Sequence, residues 1–390
     1  MSDDSADNQF MSRALDLARR GIGLASPNPH VGAVIADLHG EVAGTGTYTY
    51  DGVKHAEILA LEEAGARARG GALFINLEPH SHQGRTPPCT DALIAAGIQR
   101  VVASMPDPNP KVSGRGFEKL RAAGIHVEVG QLEAEARILN EAFARYIRRG
   151  IPLVTLKAAM TLDGKIAGKP GVESKREAGT PAGGWITGEA ARANVHEQRH
   201  QSDCVLVGIG TILADDPLLT DRSSHPRRRP LLRAILDSHL RLPLESRLVQ
   251  SVVHDGGCKN DVIVFCVGGE ANKKRELEAR GIRVEQLSAR PYDARVNIHA
   301  VLRRLGQLEI TSVLIEGGAA VNGTALSSRI VDKVFLYYAP RILASDGSIP
   351  LASGAAFRGM HDAQQVKRVH LHRFAEDFAV EGYLRDPYID

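Results

Sequence analysis

The sequence has few cysteines and no long apolar run, and each shortage excludes a class of protein. Four cysteines in 390 residues are too few and too scattered for a disulfide framework, so we expect reduced thiols and a cytoplasmic location. They are Cys89, Cys204, Cys258 and Cys266. No apolar stretch approaches the roughly 18 residues of a membrane span, and the acidic N-terminus lacks the basic and apolar regions of an export signal.

The chain also lacks an excess of charge and of aromatic rings. Its net charge is +2 and aromatic residues make up 5%, whereas nucleic-acid-binding surfaces are basic and often stack bases on aromatic rings. We therefore expect small-molecule partners, with no nucleic acid and no membrane surface. The most basic run, HPRRRP at 225–230, favours a solvated loop over a phosphate clamp.

The length predicts two domains, because 390 residues exceed what one typical core supports. A helical pattern, AEARILNEAFARYIRRGIP, ends in basic residues followed by Gly150 and Pro152, which together stop a helix. We place the boundary there, which gives domains 1–149 and 150–390.

Alternating strand and helix patterns predict an α/β sheet in each domain. In the first, HVGAVIAD and EVAGTGTY read as a strand pair, and HAEILALEEAGARA reads as a helix with one apolar face. In the second, the strands are too continuously apolar for a one-sided antiparallel sheet, so we expect a sheet buried on both faces. The glycine-rich segment 168–184 is the best candidate for a mobile loop.

A pattern typical of a zinc-dependent deaminase lies in the first domain. His55 and Glu57 begin a predicted helix, where one side chain can bind a metal while the other, a carboxylate that is not a ligand, moves a proton. Cys89 follows two prolines at the start of the next predicted helix, where unpaired N–H groups stabilise a thiolate. The HxE motif alone is weak evidence for a zinc site. HxE followed by a strand, by EP and then by TPPC is a much more specific signature of one.

The second domain carries two glycine-bearing strand ends. Gly208 and Gly210, in VLVGIGTILADDPLLTDR, leave room for a ligand or another backbone at the strand end, which is the usual binding crevice of an α/β sheet. The stretch VLIEGGAAVNG places backbone N–H groups at a helix start, which suits a phosphate. No complete G-x-G-x-x-G fingerprint is present, which argues against a standard Rossmann site.

Taken together, the motifs resemble the RibD family of bifunctional riboflavin-biosynthesis enzymes. Stretches in family order cover nearly the whole chain, and they include SPNPHVGAVI, HAEILAL, LEPHSHQGRTPPC, DPNPKVSGRG, LKAAMTLDGKIA, WITGEAAR, VGIGTILADDPLLTDR, LDSHLRLP, IEGGAAVNG and VDKVFLYYAP. The resemblance implies a cytidine-deaminase-like domain followed by a dihydrofolate-reductase-like domain. It also implies deamination of a diaminohydroxyphosphoribosylaminopyrimidine and then NADPH-dependent reduction of its ribosyl group to ribityl.

The same resemblance implies a role for particular residues. Zinc would be held by His55, His80 and Cys89, with Glu57 as proton shuttle, while Asn28 and Arg85 would face the substrate. NADPH would be lined by Ala159, Trp185, Thr211, Asp215, Ser238 and the loop from Gly318 to Thr324. The substrate of the second reaction would be held by Arg199, Leu219, Arg222 and Glu316. We also expect a homo-oligomer.

Three positions depart from the family pattern. The family has a cysteine where this chain has His80, a histidine where it has Tyr48, and a serine where it has Gly183. Imidazole is a good zinc ligand, and His82 is a possible substitute ligand. Two alternatives therefore stay open: a reductase with an inert deaminase domain, or an enzyme acting on a related pyrimidine or pteridine.

Structural roles also stay open for several residues of the second domain. Trp185, the only tryptophan, is compatible with a place in the core. Asp215 and Asp216 precede Pro217 and suit a helix cap or a turn. Lys157 lies on a predicted strand, where it can serve an ion pair as readily as a ligand.

Overall fold

The computed structural model describes residues 3–84, 86–169, 184–254, 261–291, 293–354 and 359–389. The chain forms two compact units: Met1–Gly150 with Pro226–Arg229, and Ile151–His225 with Pro230–Asp390. Of the residues singled out above, Arg85, Gly183, Cys258 and most of segment 168–184 lie outside the described residues. Within the described ranges, no helix has the length and apolar character that crossing a bilayer requires.

The first unit is built on a five-stranded sheet flanked by helices, in the order β2-β1-β3-β4-β5. Its elements in chain order are α1 (Asp3–Arg19), β1 (Gly32–Ala36), β2 (Val42–Thr47), α2 (Ala56–Ala64), β3 (Ala72–Ile75), α3 (Cys89–Ala96), β4 (Arg100–Ala103), α4 (Arg115–Ala122), β5 (His126–Val129), α5 (Glu133–Leu139) and α6 (Glu141–Arg149). The predicted strand pair is confirmed, since β1 and β2 are antiparallel neighbours. β3, β4 and β5 run parallel to one another.

Glycines in β2 let α2 lie directly on the sheet. A Cβ atom at Gly46 would stand 2.0 Å from the carbonyl oxygen of Ala56, and one at Gly44 would stand 2.1 Å from that of Ala60. Real side chains never approach so closely, so only glycine permits this packing. The spacing GTG in β2 therefore fixes the position of the N-terminal end of α2, which carries Glu57.

The second unit is built on a nine-stranded sheet in the order β11-β10-β9-β8-β14-β6-β15-β18-β17. Its elements in chain order are β6 (Leu153–Thr161), β7 (Lys165–Ala167), α7 (Glu189–His200), β8 (Cys204–Gly208), α8 (Ile209–Asp215), β9 (Leu232–Leu236), α9 (Arg247–His254), β10 (Val262–Cys266), α10 (Ala271–Ala279), β11 (Arg283–Gln286), β12 (Ala289–Arg290), β13 (Asp293–Val296), α11 (Ile298–Gln307), β14 (Ser312–Ile315), α12 (Ala319–Ser327), β15 (Lys333–Ala339), β16 (Ile349–Pro350), β17 (Lys367–Phe374) and β18 (Asp377–Tyr383). The strands from β11 to β15 along the sheet are parallel, and β18 and β17 continue it antiparallel.

Helices cover both faces of the parallel part, as the apolar strand runs predict. In β10, Ile263 and Phe265 belong to one hydrophobic cluster, whereas Val262, Val264 and Cys266 belong to another. Successive side chains of a strand point to opposite faces, so the two clusters are two cores separated by the sheet. All five β10 residues are buried, which explains the unbroken apolar pattern.

The expectation of a solvated loop at 225–230 is wrong for two of its arginines. Arg228 lies over the ring of Tyr50, with its Cζ 3.7 Å from the ring centroid, and its Nη1 donates to the carbonyl oxygen of Ser26 at 3.1 Å. Arg229 donates from Nη2 to the Ser26 hydroxyl at 2.9 Å. Guanidinium groups stack on aromatic faces and donate in several directions, so an arginine run does not by itself indicate solvation.

Candidate functional sites

Three side chains from separate parts of the first unit converge in the arrangement that the zinc pattern predicts. One ligand atom from each of His55, His80 and Cys89 lies within 4.8 Å of each of the others, and this is the one such cluster among the described residues. His55 is the residue preceding α2, and Cys89 is the first residue of α3, directly after Pro88. The predicted helix starts are therefore confirmed.

The orientation of each imidazole suits a metal. His55 Nδ1 lies 3.1 Å from Cys89 Sγ, while its Nε2 lies 3.3 Å from the hydroxyl of Thr86. His80 Nε2 lies 3.2 Å from His82 Nε2, and His80 Nδ1 is buried without a hydrogen-bond partner in the described part of the chain. A buried polar atom normally has a partner, and a metal ion would supply one for this nitrogen. The donors fit tetrahedral zinc, whose ligand set mixes His and Cys.

Electrostatics at the cluster also favour a cation. Burial, with help from His82 and His55, lowers the pKa of His80 to about 4, so the ring is neutral at pH 7 and its lone pair can bind a metal. Burial raises the pKa of the Cys89 thiol, and the neighbouring Glu57 carboxylate raises it further. A doubly charged ion held there would oppose that effect and favour the thiolate form of Cys89.

Glu57 lies beside the cluster without belonging to it. Its side chain is buried and hydrogen-bonded to Cys89, and it is the second residue of α2, two positions after His55. A carboxylate in this place can take a proton from one group and deliver it to another without binding the metal. The cluster of three side chains that could hold a metal and the adjoining carboxylate are thus distinct groups.

The two unusual residues of the first unit, Tyr48 and His80, both contact the His55 ring. The Tyr48 ring stands edge-on to the His55 ring at 5.6 Å between centroids, and the Asn28 amide donates to the Tyr48 hydroxyl at 2.5 Å. The His80 ring is 5.0 Å from that of His55 and 4.1 Å from that of His82. Asn28, predicted to meet the substrate, is therefore already held by Tyr48.

Glu78 and Asp107 belong to the same region but were not identified from the sequence. The Glu78 carboxylate accepts three backbone N–H bonds, from Asp107, Gly114 and Gly116 at 3.0, 2.8 and 2.7 Å, so it organises the loop before α4. Burial raises the pKa of Asp107 to about 6, with Glu78 adding to the effect. The sequence signal for Glu78 is the EP pair, whose acidic residue lies three positions after the end of the buried strand β3.

In the second unit, the predicted cofactor residues gather at the carboxyl ends of adjacent parallel strands. These ends are where α/β sheets bind ligands. Ala159 lies near the end of β6, Thr211 and Asp215 on α8 after β8, Ser238 after β9, and Gly318 and Thr324 on the turn and helix after β14. Gly210 has open space around it, whereas a Cβ at Gly208 would meet Val321 at 2.7 Å. The glycine at 210 is therefore the one that leaves room for a ligand.

The structure decides between the roles that the sequence left open for Trp185 and for Asp215 and Asp216. Trp185 is not a core residue: 46% of it is exposed, and the Arg192 guanidinium lies 4.7 Å from its ring centroid. Asp215 ends α8 and Asp216 is its cap, with a left-handed backbone and a carboxylate that accepts the Arg247 N–H at 2.8 Å. Ser238 accepts from the Val296 N–H through its hydroxyl at 3.2 Å.

Three charged side chains of the second unit, Lys157, Arg199 and Glu316, form a buried network of ion pairs. Arg199 donates to both oxygens of Glu316, at 2.6 and 3.0 Å, and Lys157 Nζ lies 3.6 Å from the same carboxylate. Burial would raise the pKa of Glu316, but the charges of Arg199 and Lys157 lower it to about 2. Burial lowers the pKa of Lys157 despite Glu316. Lys157 is thus an ion-pair member adjoining the predicted substrate residues.

The remaining predicted substrate residues differ in their exposure to solvent. Leu219 is buried in the core with a left-handed backbone (φ 56°), so a contact from it to a ligand would come from its backbone. Arg222 is exposed, and its Nε donates to the Thr220 hydroxyl at 3.3 Å. Arg85 lies outside the described residues.

Two family models match the chain. Residues 4–105 match the cytidine and deoxycytidylate deaminase zinc-binding region, and residues 152–380 match the RibD C-terminal domain. Fold and site together define a zinc-dependent deaminase domain joined to a reductase domain, and the predicted fold class and the cofactors zinc and NADPH are confirmed.

Full-length relatives identify the family. The chain is 37% identical to the riboflavin biosynthesis protein RibD of Aquifex aeolicus, over 96% of this chain and 97% of that protein, and 37% identical to that of Escherichia coli, over 95% and 97%. Among solved structures, it is similar to RibD of Acinetobacter baumannii (TM-score 0.82, 33% identity, covering 98% of this chain and 99% of that one). It is equally similar to a diaminohydroxyphosphoribosylaminopyrimidine deaminase/5-amino-6-(5-phosphoribosylamino)uracil reductase of Thermotoga maritima (0.81, 35%, 97% and 99%). The chain belongs to the RibD family of bifunctional deaminase/reductases.

Proposed function

We propose that the first unit deaminates 2,5-diamino-6-(5-phosphoribosylamino)pyrimidin-4-one and that the second reduces the ribosyl group of the product to ribityl with NADPH. The observation that carries the proposal is the His55, His80 and Cys89 cluster with Glu57 buried beside it. An inert remnant has no need for an unliganded carboxylate in that place. The second support is the RibD C-terminal domain in the same chain.

For deamination, each residue has a distinct role. His55, His80 and Cys89 would hold a zinc ion, which when bound would lower the pKa of a water molecule. Thr86 holds the far nitrogen of His55 in place. Glu57 would carry a proton from the attacking water to the departing amine. Asn28, oriented by Tyr48, and Arg85 contact the ring and the phosphate of the substrate.

For reduction, the residues of the second unit mainly orient two ligands. NADPH supplies the hydride, and Ala159, Trp185, Thr211, Asp215, Ser238 and the Gly318–Thr324 turn line its site. Arg222 and Arg199 hold the substrate's phosphate, for which a guanidinium is geometrically suited. Glu316 fixes the Arg199 guanidinium by two hydrogen bonds, and Leu219 contributes its backbone.

Replacing Glu57 by glutamine tests the proposed deaminase chemistry. We expect Glu57→Gln to retain zinc and to lose deamination by a factor of about 10²–10⁴, because the amide cannot carry the proton. Glu62→Gln is the matched control, since Glu62 lies on the same helix but is exposed and pairs with Lys54. Undiminished deamination by Glu57→Gln, measured as ammonia release, would refute the assignment.

Tyr48 favours a second candidate function, the deamination of a related pyrimidine or pteridine. The Tyr48 hydroxyl accepts a hydrogen bond from the Asn28 amide, and the Tyr48 ring contacts His55. Tyr48 therefore changes the surface of the site that the substrate would contact. Comparing kcat/KM for the riboflavin precursor with that for unphosphorylated diaminopyrimidines and pteridines separates the two. Higher efficiency with the phosphoribosylated substrate supports the first function.

We further propose that the chain acts in the cytoplasm as a homo-oligomer on small molecules, without binding nucleic acid. The near-neutral net charge of +2 supports the last point. Sedimentation of the purified protein would give its oligomeric state, and a monomer at micromolar concentration would contradict the proposal.

A further inference from the structure

Two consecutive residues at the C-terminal end of α7 hold two consecutive residues of the segment 220–222. Arg199 Nη1 donates to the Thr220 carbonyl oxygen at 2.9 Å, and His200 Nδ1 lies 3.1 Å from Asp221 Oδ2. The His200 and Asp221 side chains are only 6% and 10% exposed. A carboxylate so buried requires a partner, so the His200 contact is a defined pair rather than a passing surface contact.

The Asp221 carboxylate also closes the turn that follows. Its other oxygen, Oδ1, accepts the Ser223 N–H at 2.9 Å, two residues along the chain. Asp221 therefore spans Arg222, held by His200 on one side and bonded to Ser223 on the other. On the N-terminal side, Leu219 is anchored in the hydrophobic core. The segment 219–223 is fixed at both ends, with Arg222 as its exposed member.

The two arginines donate hydrogen bonds to the same residue of this segment. Arg199 donates to the Thr220 backbone oxygen, and Arg222 donates to the Thr220 hydroxyl. A shift of Thr220–Ser223 would therefore move the Arg222 guanidinium away from Arg199. A bidentate contact to phosphate tolerates such a shift poorly, because its two hydrogen bonds have a fixed geometry.

We propose that His200 and Asp221 are positioning residues that hold the Arg222 guanidinium beside Arg199 for the phosphate of the reductase substrate. The inference rests on the proposed function, which assigns Arg222 to that phosphate. The inference adds a buried histidine–aspartate pair that would position the phosphate-binding arginine without itself binding the substrate or NADPH.

Steady-state reduction by the full chain tests the pair. His200→Phe keeps a ring but removes Nδ1, so we expect KM for 5-amino-6-(5-phosphoribosylamino)uracil to rise about tenfold, the effect of leaving one buried partner unsatisfied. We expect kcat and KM for NADPH to change less than about twofold, because the catalytic and cofactor residues keep their places. His200→Asn restores an N–H donor near the position of Nδ1 and should return KM to within about threefold of wild type.

The controls separate this inference from the proposed function. His370→Phe, on the exposed strand β17, should leave all parameters unchanged. Arg222→Lys should raise the same KM; if it does not, the assignment of Arg222 fails, and the positioning role fails with it. If Arg222→Lys raises KM but His200→Phe does not, only the positioning role is wrong. Should His200→Phe fail to fold, Asp221→Ser leaves no buried carboxylate, and an unchanged substrate KM in that variant would equally overturn the proposal.

Discussion

The family resemblance implies a cysteine where this chain has His80, and the structure shows the surroundings of the two His80 nitrogens. One nitrogen meets His82, and the other is buried and turned away from solvent. The backbone of His80 is tied to α3, because its carbonyl oxygen accepts the Thr90 N–H at 3.1 Å. The loop that carries His80 is therefore joined by a backbone hydrogen bond to the first turn of the helix that begins at Cys89.

The buried Glu316 carboxylate should make the stability of the protein depend on pH. Its pKa is lowered from 4.5 to about 2, so its ionised form stabilises the fold above about pH 4.5 and that contribution is lost as pH falls towards 2. We expect Glu316→Gln to reduce the free energy of unfolding by about 3 kcal/mol at pH 7, since two cations lose their partner. Urea unfolding should show the difference from wild type shrinking between pH 4.5 and 2; a constant difference would contradict the ion-pair account.

At the scale of elements, the contact between β2 and α2 determines where the deaminase ligands lie. Gly46→Ala would place a methyl group 2.0 Å from the Ala56 carbonyl oxygen, so the helix start with His55 and Glu57 must shift. We expect a loss of about 1–3 kcal/mol in stability and weaker zinc binding, measured by chelator competition. Gly268→Ala is the control, because nothing lies within 4 Å of that position. Unaltered zinc affinity in Gly46→Ala would show that the packing does not place the ligands.

Local pattern predicted some elements and missed others for physical reasons. β1, β2, α2 and the start of α3 have clear periodicity, glycine or proline signals, and they form as expected. β17, with the sequence KRVHLHRF, was not identified, because this edge strand is mostly exposed and buries no alternating apolar face. The loop at 225–230 was misjudged because its contacts, Tyr50 and Ser26, are far away in sequence.

The same distinction holds for the candidate sites. His55, His80 and Cys89 belong to a short motif, so their convergence was predictable from spacing and resemblance. The Lys157–Glu316–Arg199 network and the His200–Asp221 pair depend on which strands become neighbours in the sheet. No local pattern encodes such long-range pairings, and single-sequence reasoning therefore could not assign them.

At the scale of the whole molecule, each unit contains the residues of its own site. The candidate zinc cluster comes from the start of α2, the start of α3 and the loop between these helices, whereas the residues proposed to bind phosphate and cofactor all belong to the second unit. We therefore expect chelation of zinc from the full chain to abolish deamination while leaving NADPH-dependent reduction of the deaminated substrate intact. A parallel loss of both activities would contradict this independence, and readdition of zinc should restore deamination.

The zinc content of four purified proteins tests the central claim most directly. Wild type and His82→Ala should each contain about one zinc per chain and release ammonia from the diaminopyrimidine substrate. His80→Cys, which restores the family's ligand, should also retain the metal. His80→Ala should lose the zinc and the ammonia release together. A wild-type protein without zinc, or zinc lost from His82→Ala but kept by His80→Ala, would contradict the assignment of His80 as the third ligand.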